Sequence, residues 1–100
     1  MYFRTSIDES SFQFGKDWSI EWISEGAQYF CILKVAVLAR KDNVFEDLYR
    51  LVGEKIEPIE AYEETFQEQE DGKILDREEF ARGFCKVARC FVEEVGIRIS

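Results

Sequence analysis

Between Phe12 and Trp22 the apolar residues Phe12, Phe14, Trp18, Ile20 and Trp22 are all even-numbered, and the residues between them are mostly polar. Period two is the pattern of a half-buried strand. A three-residue loop over Gly15, Lys16 and Asp17 pairs Phe14 with Trp18 and Phe12 with Ile20 on one face, so the pattern predicts a hairpin. Tyr2 to Ile7 adds a third strand before an Asp8–Ser11 turn. Tyr29 to Ala39 is ambiguous. Its Tyr, Phe, Ile, Val and Cys content favours a strand, whereas its length and its Ala, Leu and Lys residues favour a buried helix. Ser24-Glu25-Gly26 can turn a hairpin back along Trp18 to Ile23, and the balance falls on strand.

The pattern then changes period. Val44, Phe45, Leu48, Leu51 and Val52 recur at helical spacing behind a capping Asp42 or Asn43. Pro58 suits the first turn of a second helix whose apolar stripe is Ile59, Tyr62 and Phe66. The last helix runs from about Arg77 to Val95 through Phe80, Phe84, Val87 and Phe91, with Gly96 as its C-terminal cap. Ile97 to Ile99 is left as a short edge strand or a packed tail. The predicted fold is therefore α+β, with an N-terminal antiparallel β-meander packed on C-terminal α-helices. At 100 residues it forms a single domain, residues 1–100.

The stretch QEQEDGKILDREEF, residues 67 to 80, bears on metal binding. Setting Gly72 at position 6 of an EF-hand loop puts Glu78 at position 12. Gln67 and Gln69, however, replace two of the leading carboxylates. A helix start explains more of these residues. Asp76 is an N-cap, Glu79 completes a capping box, and Leu75 with Phe80 forms a hydrophobic staple. Asp71-Gly72 ends the preceding helix. No metal and no cofactor is expected.

Other chemistries find little purchase. The chain has no His, which removes imidazole bases and ligands. Cys31, Cys85 and Cys90 form no CxxC pair and read as reduced, buried thiols. Glu60-x-x-Glu63 and Glu68-x-x-Asp71 match the letters of the magnesium-binding pairs in all-helical pyrophosphohydrolases of the MazG type. Only four residues separate the two pairs, which puts them on one helix instead of facing each other. The protein is read as no enzyme.

Charge carries the functional expectation. From Glu57 to Glu79 there are ten acidic and two basic residues, a net of −8 that equals the charge of the whole chain. Glu57, Glu60, Glu64 and Glu68 share a helix face, where like charges cost about 0.2–0.5 kcal/mol per pair. With Glu63, Glu70, Asp71 and the ring of Tyr62, they form a candidate surface for a basic protein partner. The expected function is that of a small acidic inhibitor, antagonist or immunity-type protein that occludes a basic surface, for example on a nucleic-acid-handling protein. Exposed rings at Tyr62 or Phe66 anchor the contact. Direct nucleic-acid or membrane binding is not expected at this charge. Two plainer readings compete: a solvated face, and neutralisation by the basic stripe Arg82, Lys86 and Arg89. The alternative function is a homodimeric scaffold or secretion-type chaperone that uses surplus aromatic surface. The longest uncharged run, Gly26 to Leu33, is too short to span a bilayer, and MYFRTSIDES lacks the pattern of a secretory signal. A cytoplasmic location is expected.

Overall fold

Ser11, Gly15 and Ser19 stand four residues apart, as do Phe14, Trp18 and Trp22. Four-residue spacing aligns side chains along one face of a helix. In the computed structural model, which describes residues 2–41, 43–52 and 59–99 and the side chains of 9–41, 43–52 and 61–96, this segment is the first of five helices. They are α1 (Tyr2–Ser24), α2 (Tyr29–Leu38), α3 (Phe45–Val52), α4 (Ile59–Gln69) and α5 (Arg77–Ile99). No strand occurs among the described residues.

The expected β-meander is thus overturned. The even-numbered rings Phe14, Trp18 and Trp22 fit both periods, since a spacing of four satisfies an alternating strand and a helix alike. The small row decides between them. Ser11, Gly15 and Ser19 are buried, which a strand with its even face inward would not allow. Gly15, assigned to a hairpin loop, lies mid-helix where α1 meets α5. A Cβ built on Gly15 would come 2.0 Å from the carbonyl oxygen of Phe80, and one on Gly83 would come 2.0 Å from that of Phe12. Each helix thus presents a glycine to the other's backbone. Both are 23 residues, about 34 Å long at 1.5 Å per residue.

Tyr29 to Ala39 is likewise helical. Ile32, Val35, Ala36 and Leu38 are buried, and α2 packs against α5 and α3. The Ser24-Glu25-Gly26 segment ends α1: the N–H of Gly26 bonds to Ile23 O at 3.1 Å, with φ at +100°. Glycine reaches that region at no steric cost. In α3 the buried residues are Leu48 and Val52, in line with Val44 just before the helix. In α4 they are Tyr62 and Phe66, and in α5 they are Phe80, Ala81, Phe84, Cys85 and Ala88. The core is aromatic at its centre. Phe14 meets Phe66 edge-on at 5.2 Å, and Trp18 meets Tyr62 edge-on at 4.7 Å.

The start of α5 ties α1, α3 and α4 to it through three consecutive residues. Asp76 Oδ1 accepts the N–H groups of Glu78 and Glu79 at 3.0 and 3.1 Å, the expected N-cap. Its own N–H donates to Ser11 Oγ of α1 at 2.9 Å. Arg77 pairs with Glu63 of α4 at 3.0 Å, and its guanidinium lies 5.5 Å from the Phe45 ring of α3. Glu78 accepts the N–H of Val44 and, at 3.4 Å, that of Phe45. The first free N–H groups of α3 are therefore met by a carboxylate more than thirty residues away, where the sequence had placed Asp42 or Asn43. Asp42 and Pro58 lie outside the described residues.

At the other end of α4, Asp71 (φ 55°) and Gly72 (φ 85°) are left-handed, and the N–H of Gly72 bonds to Gln67 O at 2.8 Å. This is the expected Asp-Gly stop. Gly96 does not cap α5, because the helix runs on to Ile99 and absorbs the predicted tail. Among the described residues no helix is long and apolar enough to cross a membrane.

Candidate functional site

A third four-residue row on α1 points outward: Glu9, Gln13, Asp17 and Glu21. The Gln13 amide donates to Asp17 Oδ1 at 3.0 Å, which steadies the row. Opposite it stands the end of α4, with Gln69 and Glu70. Between them runs a groove in two adjoining parts of about 330 and 160 Å³, which share Phe14, Asp17 and Gln69. The half-buried Trp18 supplies most of its apolar surface, with the core rings of Phe14 and Phe66 at its floor. Among the described residues the walls carry four carboxylates, from Glu9, Asp17, Glu21 and Glu70, and no cation. None of the four has a cationic partner among the described residues. The groove therefore offers uncompensated negative charge beside aromatic rings, the two features that hold a lysine or arginine side chain.

The residues picked out on α4 divide. Glu70 lines the groove. Glu64 and Glu68 are exposed on the same helix, and Asp71 is exposed in the turn that follows. Glu63 is spent on Arg77, whose Nε and second guanidinium nitrogen approach its two oxygens at 3.0 and 3.2 Å. Tyr62 and Phe66, expected as exposed anchors, are core residues at 4% and 2% exposure. Glu57 lies outside the described residues, as does the side chain of Glu60.

Sequence reasoning missed Glu9, Asp17 and Glu21. Their four-residue spacing was available, but the hairpin assignment put Glu9 in one turn, Asp17 in the next and Glu21 on a strand. The basic stripe also falls elsewhere. Arg82, Lys86 and Arg89 line a groove with Phe12, Ala39 and Lys41, to which α4 contributes none of its described side chains. Arg82 pairs one turn back with Glu79 at 3.7 Å, and Arg89 one turn ahead with Glu93 at 3.2 Å.

The thiols differ in environment. Cys85 is fully buried, and that burial, with a smaller contribution from the Glu78 carboxylate, pushes its pKa up to about 12. It is no nucleophile. Cys90 is exposed and Cys31 half-buried, against the expectation of three buried thiols. Glu78, the would-be twelfth residue of a calcium loop, has its carboxylate turned to the N-terminus of α3. Comparison with known protein families, with characterised proteins and with solved structures finds no match.

Proposed function

We propose that this chain is a non-enzymatic, cytoplasmic binding protein that occludes a basic surface of another protein through the α1–α4 groove. The observation that carries this reading is the set of four carboxylates, without a cationic partner among the described residues, around Phe14, Phe66 and Trp18. Long-range attraction by a chain of charge −8 speeds encounter with a cationic partner. The half-buried Trp18 then gives an inserted Arg or Lys an aromatic face. Glu64, Glu68 and Asp71 extend the negative surface beyond the groove. A partner that handles nucleic acid is the natural class, because its own phosphate-binding surface supplies the cations.

The test uses a ten-residue lysine- and arginine-rich peptide at low and physiological salt. Saturable binding is expected, weakening at least tenfold in the triple variant Glu9→Gln, Asp17→Asn, Glu21→Gln. Binding that is unchanged in this variant overturns the reading.

A second reading, self-association as a homodimeric scaffold or chaperone, has its own observation. Helix α2 is apolar on its outer face as well: Phe30 is 63% and Val37 70% exposed, with Leu33 between them. Helices apolar all round are normally buried on all sides. Sedimentation at high salt separates the two readings, since an apolar dimer persists there and an ionic complex does not.

A further inference from the structure

The groove beside Phe12 lies in an acidic protein yet carries the opposite charge. Among the described residues Lys41, Arg82, Lys86 and Arg89 line it against one carboxylate, Glu93, around a space of about 460 Å³. Three of the cations come from successive turns of α5. Residues 82 to 89 span about 10 Å of helix, while Lys41 approaches from the segment after α2. We infer that this groove is an anion site for a small ligand carrying two or more phosphate groups.

Three observations support the inference. Lys86 has no carboxylate partner among the described residues; its ammonium lies 5.9 Å from the centre of the Phe12 ring, and Lys16 approaches the same ring at 5.8 Å. In the ion pairs made by the other three the cations are exposed, with Lys41 at 53%, Arg82 at 46% and Arg89 at 42%, while Asp47 and Glu79 on the other side are half-buried. Such pairs contribute little and exchange readily for a better anion. The volume is that of a small-molecule site, and Phe12, Ala39 and Cys90 give the ligand an apolar surface to rest on. A row of cations about 10 Å long fits several charged groups in line better than one. Phosphate oxygens also match the planar fork of arginine, and two arginines are present. The site is separate from the acidic groove, so neither reading depends on the other.

Inorganic triphosphate is the probe, titrated by calorimetry and by amide chemical shifts at constant ionic strength. Saturable binding is expected, with shifts confined to residues near 12, 39–41 and 82–93. Lys86→Glu should weaken it at least tenfold and Lys86→Met by a smaller factor, both with unchanged circular dichroism because Lys86 is exposed. Glu21→Gln, in the other groove, should leave it unaltered. The proposal is overturned by the absence of saturable binding, by binding that Lys86→Glu does not weaken, or by an oligoglutamate of equal charge binding as tightly as triphosphate.

Discussion

Gly83 of α5 lies so close to Phe12 of α1 that a Cβ would stand 2.0 Å from the Phe12 carbonyl oxygen and 3.2 Å from the backbone nitrogen of Lys16. Neither atom can move aside, since both belong to a helix backbone. On an exposed helix, Gly→Ala is stabilising by roughly 1 kcal/mol. Here the sign reverses. Gly83→Ala is expected to destabilise by at least about 1–3 kcal/mol, the usual penalty of overpacking. Gly15→Ala should do the same through Phe80. Urea unfolding decides the matter, and a more stable Gly83→Ala protein would show that the two helices do not meet this closely.

Glu78 reaches across to α3, so its loss is a capping loss. Glu78→Ala is expected to cost about 1–3 kcal/mol by leaving N–H groups of α3 unpaired. Hydrogen exchange should quicken first at Val44 and Phe45. Asp76→Ala costs about 0.5–2 kcal/mol in the same way. Millimolar calcium should leave the melting temperature of the wild type unchanged. A shift of several degrees that disappears in Glu78→Gln would show that the loop binds metal after all.

The thiols give a chemical readout. At pH 8 in native buffer Cys90 should react with a thiol reagent and Cys85 should not, until denaturant is added. Linkage adds a pH signature. The pKa of Cys85 rises on folding from its ordinary 9.0 to about 12, so above pH 9 the unfolded chain loses a proton that the folded chain keeps. Stability therefore falls as pH climbs from about 9 towards 12, by up to roughly 1.4 kcal/mol per pH unit. Cys85→Ala should flatten that slope. An equal slope in wild type and variant would place the effect on other groups.

The attachment of α4 is apolar and its charge is dispensable. Phe66→Ala should cost about 3–5 kcal/mol, because the ring is 2% exposed and packs on Phe14. Glu64→Gln with Glu68→Gln should leave stability level or slightly higher by relieving like-charge repulsion. Glu63→Gln gives up only an exposed pair with Arg77, worth about 0–1 kcal/mol. Thermal melts of the three variants check the ranking.

Helices α3, α4 and α5 were legible from periodicity, and the Asp76 cap and the Asp71-Gly72 stop from local chemistry. These are interactions within a few residues, which is the range over which sequence speaks directly. The positions that mattered for α1 and α2 were ambiguous at that range. Rings four apart fit a strand as well as a helix, and an apolar run fits either. Sequence therefore determined the aromatic core, the surplus of negative charge and the absence of imidazole chemistry.

Tertiary structure decided the rest. Burial of Ser11, Gly15 and Ser19 against α5 made α1 a helix, because only a row of small residues lets two backbones come so near. That choice turned Glu9, Asp17 and Glu21 into one wall of a groove and moved Tyr62 from the surface to the core. It also set Arg82, Lys86 and Arg89 beside Phe12 and Lys41, not beside the glutamates of α4. Charge is a property of composition, but which charges face one another depends on how helices distant in sequence cross.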